Sequence, residues 1–145
     1  MKNNVQVNQW DSNSRYSIQD LSQFLFTHLE RFGDPLHQIE GALDYAQGKN
    51  NKPGGALYCA TMENELVGVV VFLKTGMEGF IPSNILVYIA VDGSKRGAGI
   101  GAKLIELGVS QCSGGVALHV EPDNPAKRLY ERLGFTNKYL EMRLS

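Results

Sequence analysis

Little in this chain of 145 residues invites metal or disulfide chemistry, for it has two cysteines and three histidines. Cys59 and Cys112 stand far apart, without the close pairing a zinc site uses, and read as small buried apolar residues. Neither sign of charge is in excess: 14 lysines and arginines meet 15 aspartates and glutamates, for a net charge of −1. That balance supplies no field to draw nucleic acid or a membrane surface. No apolar run is long enough to cross a bilayer, and Met1-Lys2-Asn3-Asn4 does not open a signal peptide. Internal repeats, low-complexity tracts and the Gly-Lys-Ser/Thr of a P-loop are missing too. The remaining expectation is one cytoplasmic domain over residues 1–145, large enough for a real core.

What is present centres on residues 85–112. Ile85 to Val91 is an unbroken apolar run of β-branched and aromatic residues, which predicts a strand buried on both faces. Asp92-Gly93-Ser94 is a turn signal. Arg96-Gly97-Ala98-Gly99-Ile100-Gly101 follows, and then Ala102, Lys103, Leu104, Ile105 and Leu107 read as helix. A helix start presents N–H groups without intrahelical partners and a partial positive charge. Glycines, lacking Cβ, let a bulky anion approach that backbone. Strand, glycine-rich turn and helix start together suit a phosphate or diphosphate.

The flanking chain supplies a sheet and its covering helices. Val5–Trp10 alternates as a short strand. Ser17 caps a helix, with Asp20 completing a capping box, and Ile18, Leu21, Leu25, Leu29 and Phe32 recur at helical spacing up to Gly33. Asp34 and Pro35 are expected to cap and open a second helix, buried through Leu36, Ile39, Leu43 and Ala46. Ala56–Met62 and Glu65–Lys74 form a hairpin about Glu63-Asn64, the second strand central, with Val67, Val69, Val71 and Leu73 on one face. After the segment at 85–112, Val116–Glu121 is expected as a strand carrying Ala117, His119 and Glu121 on one face. A helix opened by Pro125, capped by Asp123 or Asn124, runs to Gly134, and Thr136–Leu144 reads as a closing strand. The class is mixed α/β, with helices on both faces of one sheet.

Arg96-x-x-Gly99-x-Gly101 after an apolar strand resembles the coenzyme A signature of the GNAT superfamily of N-acetyltransferases. Asn124-Pro-Ala-Lys-Arg-Leu-Tyr130-Glu-Arg-Leu-Gly134-Phe135 is similar to that family's C-terminal signature, with Ala126, Leu129, Tyr130, Gly134 and Phe135 in register. The family's helix-starting Asn most often stands where this chain has Asp123, one residue before Asn124. The resemblance implies a mostly antiparallel sheet whose splayed strands, Ile85–Val91 and Val116–Glu121, hold acetyl-CoA between them. It implies that backbone groups of Ile89, Ala90 and Val91 pair with the pantetheine arm. The N–H groups of Arg96, Gly97, Ala98, Gly99, Ile100, Gly101 and Ala102 would hold the diphosphate, where a charge-assisted bond is about twice as strong as a neutral one. Arg96, Asn124, Arg128 and Lys127 are candidates for further cofactor contacts, Lys127 and Arg128 equally as solvated surface charge.

The implied reaction is attack of an amine on a thioester, without a metal. Tyr130 is the family's candidate acid for the departing thiolate; its other reading is a core tyrosine on the apolar helix face, over which the family register favours the catalytic role. Glu121 is the favoured base, with His119 and Asp92 nearby, unless ordered water serves. The acceptor, a small amine or a protein amine, is not legible, and a homodimer is possible. Gly97-x-Gly99-x-x-Ala102 also fits a loose dinucleotide fingerprint, but too few residues follow it for the expected strands. A non-catalytic acyl-CoA sensor is the other reading, against which the retained Tyr130 argues.

Overall fold

The sheet is built out from a hairpin of β2 (Gly55–Met62) and β3 (Glu65–Lys74). Glu63 and Asn64 turn it with φ of 51° and 66°, the two left-handed residues that match strand twist in a two-residue loop. The computed structural model describes residues 4–145, so Met1, Lys2 and Asn3 of the expected non-signal start lie outside it. β1 (Val5–Gln9) runs antiparallel to β2, β4 (Asn84–Val91) antiparallel to β3, and β5 (Val116–Leu118) parallel to β4. The strand order is β1-β2-β3-β4-β5, which makes β3 central, and Val67 to Phe72 are all buried. A parallel pair needs a crossover, and α3 (Ile100–Gln111) provides it.

α1 (Ile18–Leu29) and α2 (Leu36–Ala46) cover one face of the sheet. Ser17 caps α1: its hydroxyl accepts from Asp20 N–H at 3.1 Å, and its own N–H donates to the Asp20 carboxylate at 2.8 Å. Leu21, Leu25, Ile39 and Leu43 pack there with Leu57, Val69, Val71 and Tyr88. α3 and α4 (Ala126–Arg132) cover the other face, where Ile100, Leu104, Ile105 and Tyr130 meet Tyr58, Val70, Phe72 and Leu86. Gly108 is required in this layer, because a Cβ there would stand 2.0 Å from the Phe72 ring. The expected mixed sheet with helices on both faces is thus the architecture.

Two bulges set what the sheet can hold. In β3, Thr61 opposes Leu66 and Ala60 opposes Gly68, leaving Val67 unopposed. Val67 therefore packs with Val70 and Phe72, not with Val69 and Val71 as simple alternation predicts. In β4, Tyr88 opposes Val71 and Leu86 opposes Phe72, leaving Val87 unopposed. The β4–β5 ladder ends beside this bulge, at Leu86–Leu118. A bulge bends its strand, so β4 turns away from β5 where a groove would open.

Other expectations need correction. β5 stops at Leu118, and His119, Val120 and Glu121 lie outside the ladder because β4 has turned away. β4 is sealed at Asn84, Leu86, Tyr88 and Ala90, while Ile85, Val87, Ile89 and Val91 are only half-buried. α1 ends at Leu29, where Glu30 takes a φ of 54°, and a single 3-10 turn leads to Gly33. Asp34 does not cap α2: Pro35 holds that position, and the Asp34 carboxylate accepts from the Tyr88 hydroxyl. Thr136–Leu144 forms no strand, since no sheet edge receives it, and Tyr139, Leu140, Met142 and Leu144 stand exposed.

Candidate cofactor and active site

The turn after β4 is set by a carboxylate. Asp92 accepts from the Ser94 N–H and from the Ser94 hydroxyl, both at 2.9 Å, and Lys95 N–H donates to the Asp92 carbonyl at 2.9 Å. Those Ser94 bonds, backbone first, hold the Asp92 carboxyl below its usual pKa. Asp92 is therefore committed to shaping the turn and is a poor proton acceptor.

Gly97 and Gly99 have φ of 88° and 74°, a region where a Cβ costs about 1–2 kcal/mol. A Cβ on either would meet nothing within 4 Å, so their outer side is open. Gly101 is small for another reason: a Cβ there would lie 3.0 Å from Leu129 and 3.9 Å from Ile89 and Val91. It lets α4 close onto the start of α3 and the end of β4. The first helical bond of α3 runs from Lys103 N–H to the Gly99 carbonyl at 3.1 Å. Among the described residues, no N–H from Arg96 to Ala102 donates to a backbone acceptor in the turn or cap. Seven consecutive N–H groups therefore lead into and open α3, a pattern that suits an anion.

The strand edge beside it is half available. Asp92 N–H donates to the Val67 carbonyl at 2.9 Å, so the next hydrogen-bonded pair of that antiparallel ladder is Ala90–Val69. The backbone of Ala90 is therefore committed to β3, which corrects its expected role toward a pantetheine arm. Ile89 and Val91 direct their backbone groups to the other side, where β5 has ended.

Tyr130 stands on the inner face of α4. Its ring is buried at 7% exposure and meets the Phe135 ring edge-on, with 6.0 Å between centroids. Burial pushes the phenol up to about 12. The hydroxyl donates to no described residue, and no buried side-chain polar atom of the described residues is left without a partner. So the ring is core while its oxygen stays open to an incoming group. α4 is held at its start by Asn124, whose side-chain oxygen accepts from Ala126 N–H at 2.9 Å. Asp123 instead pairs with Arg31 at 3.1 Å, an exposed bridge between the loops after α1 and after β5. Asn124 is thus the local cap, and its side chain is already engaged.

The other candidates are dispersed. Glu121 and His119 are exposed beyond the end of β5. Arg96 and Arg128 are exposed and pair with no described carboxylate, whereas Lys127 is drawn to Glu131 at 2.5 Å. The Tyr88–Asp34 bond escaped sequence reasoning, because the residues lie 54 apart and Asp34-Pro35 carries an ordinary capping signal. Two surface depressions of about 300 and 320 Å³ lie along α1 and β1 and include neither Tyr130 nor the glycine-rich turn. Among the described residues, no cluster of three or more metal-ligating side chains occurs. No described helix is long and apolar enough to cross a membrane.

Comparison with known proteins agrees with this fold. The acetyltransferase (GNAT) domain model matches residues 53–137, from the start of the central hairpin to just beyond Phe135. No curated protein matches the chain. Among solved structures, a possible acetyltransferase from Clostridium difficile 630 is 16% identical with a TM-score of 0.70, covering 97% of this chain and 96% of its own. The aminoglycoside N-acetyltransferase AAC(6')-Iy in complex with CoA is 15% identical with a TM-score of 0.72, covering 100% of this chain and 96% of its own. A GNAT family acetyltransferase from Elizabethkingia anophelis with acetyl-CoA bound is 18% identical with a TM-score of 0.67, covering 93% of this chain and 78% of its own. These likenesses agree in fold, and the domain model spans more than half of the sequence: the chain belongs to the GNAT acetyltransferase family.

Proposed function

We propose that this protein transfers an acetyl group from acetyl-CoA to a primary amine by direct attack of the amine on the thioester. The observation that carries the reading is the run of free N–H groups from Arg96 to Ala102, opening α3 beside the strand edge that β5 leaves uncovered. Solved neighbours that hold CoA or acetyl-CoA support a ligand of that kind. Acetyl-CoA supplies the acyl group already activated as a thioester. The amides of Arg96 to Ala102 bind the diphosphate, Arg96 and Arg128 add charge from the surface, and Ile89 and Val91 offer an edge to the pantetheine arm.

A primary amine of pKa about 10.4 must lose a proton before it attacks, at a cost of about 4.6 kcal/mol at pH 7. Glu121, exposed beyond the end of β5, takes that proton directly or through water. As the carbon–sulfur bond breaks, charge collects on sulfur, and Tyr130 donates its O–H there. A phenol near 12 stays protonated at neutral pH and so is always ready to donate. It lies well above a free thiol of about 8.5, so Tyr130 stabilises the thiolate by hydrogen bonding before any full transfer. The burial that lifts the phenol lifts a neighbouring thiol too, narrowing that gap.

The test is a thiol-release assay with acetyl-CoA against a panel of small amines and peptide amines. Amine-dependent release, lowered at least about tenfold by Tyr130→Phe, is the expected result. Tight CoA binding without turnover on any amine would overturn the catalytic reading in favour of a sensor.

A further inference from the structure

Beside the uncovered edge of β4, the fold holds one carboxylate in place and leaves it without a cation. The β4–β5 ladder ends at Leu86–Leu118, and the first β4 residue after the bulged Val87 is Tyr88. Its ring is 8% exposed in the core under α1 and α2, on the face opposite to α3 and the glycine-rich turn. Its hydroxyl donates to Oδ2 of Asp34, an exposed residue of the loop between α1 and α2. Burial first, and then the bond to Asp34, push the phenol up, so it remains a donor at neutral pH. Among the described residues, Asp34 Oδ1 accepts no hydrogen bond and no lysine or arginine pairs with this carboxylate.

The same loop reaches across the gap between the strands. Asp34 touches β4 through Tyr88, while Arg31 pairs with Asp123 beyond the end of β5 at 3.1 Å. The loop therefore runs from one strand of the splayed pair to the continuation of the other. It carries Glu30, Arg31 and Asp34, and its one cation is engaged by Asp123, so the charge left over is negative. A diphosphate on the amides that open α3 occupies the opposite face. An acceptor then comes in from this face, past Asp34.

Distance decides what Asp34 can hold. Strand side chains stand roughly perpendicular to their sheet, so the carboxylate lies a tyrosine's length off it. A thioester laid along Ile89 and Val91 is in the plane of the sheet, and an attacking nitrogen must come within about 3–3.5 Å of it. Asp34 stands too far out to touch that nitrogen, and it suits a second positive charge several bonds away on the same molecule. A carboxylate on the reacting amine would also favour its protonated, unreactive form, which a carboxylate at the far end does not.

We propose that the acceptor is a diamine: one nitrogen attacks the thioester while the other, as an ammonium, is held by the Asp34 carboxylate, which Tyr88 positions. This inference rests on the acetyl-transfer reading and adds the substrate class to it. One ammonium and acetyl-CoA give one amide, one thiol and one proton released to solvent. The carbon–nitrogen bond forms, the carbon–sulfur bond breaks, and the second ammonium keeps its charge throughout.

The experiment compares diaminobutane with butylamine, which lacks only the second amine. Thiol release is measured with each, and each is titrated calorimetrically into the CoA-saturated protein. The expected result is at least about a tenfold preference for diaminobutane, in kcat/KM and in binding. Asp34→Asn, of nearly the same volume, is expected to bring the two amines level by raising the KM for diaminobutane at least about tenfold, with the CoA dissociation constant unchanged. Tyr88→Phe should lose part of the preference through KM and not kcat, and Asp34→Glu should restore part of what Asp34→Asn removes. Equal use and equal binding of the two amines by the unaltered protein would overturn the proposal, and so would a preference that survives Asp34→Asn. Turnover on neither amine would count against acetyl transfer, and the calorimetric comparison would then decide the Asp34 site by itself. If Asp34→Asn fails to fold, the selectivity of the unaltered protein decides.

Discussion

The two faces of the sheet are packed differently. Under α1 and α2, Leu21, Leu25, Ile39, Leu43, Val69 and Val71 are fully buried, and few residues around them are half-open. Under α3 and α4 a core of similar size is bordered by about twice as many half-buried apolar residues, among them Ile89, Val91, Leu118, Leu129 and Phe135. The first face has two helices of 12 and 11 residues, the first held by a capping box, while the second pairs the 12-residue α3 with a helix of only seven residues. The difference teaches where the protein is finished and where it is not. One face is a closed core, and the other has a border of apolar side chains, free amides and a tyrosine oxygen that a ligand would complete.

That contrast can be broken from either side. The largest effect is expected on the closed face: Leu25→Ala removes a fully buried side chain and should cost about 2–5 kcal/mol in a urea titration, with CoA affinity of the folded fraction unchanged. On the open face the order reverses. Tyr130→Phe should change the urea midpoint little while lowering turnover at least about tenfold. Gly99→Ala forces a Cβ into a left-handed position and should cost about 1–2 kcal/mol of stability, with a weaker CoA dissociation constant by calorimetry. Leu25→Ala weakening CoA as much as Gly99→Ala would erase the distinction.

The smallest effect is in pH. The phenols of Tyr58 and Tyr88 are raised by burial, as is Tyr130 at about 12. Groups whose folded pKa is raised stabilise the fold while neutral, fully below about pH 10, and that stability is lost as pH rises toward the folded values. Urea midpoints should therefore hold to about pH 10 and fall above it, and Tyr130→Phe should soften the fall. For the reaction, the rate should climb as the amine deprotonates, with no descending limb from Tyr130 below about pH 11.

Much of this was legible in the sequence because the signals are local. The Glu63-Asn64 turn, the Ser17–Asp20 box, the glycines at 97 and 99 and the helix bearing Tyr130 follow from neighbouring residues, and two short motifs pointed to the family. What was not legible depends on pairing across the chain. The bulges at Val67 and Val87 arise from register with strands elsewhere, and they moved one valine to the opposite face and ended β5 three residues early. Ala90 is denied to a ligand by the parity of the β3–β4 ladder. Asp34 left its expected cap for Tyr88, since a capping signal cannot reveal a competing hydroxyl from a distant strand. The tail has the composition of a strand, but composition does not name a partner edge.

The central claim is that the amides opening α3 hold a diphosphate. Calorimetric titration of the folded protein with CoA and, separately, with pantetheine, which shares the arm and lacks the diphosphate, tests it most directly. The account predicts one CoA site per chain and pantetheine binding at least about a hundredfold weaker. No heat with CoA, or equal affinity for the two, would contradict it.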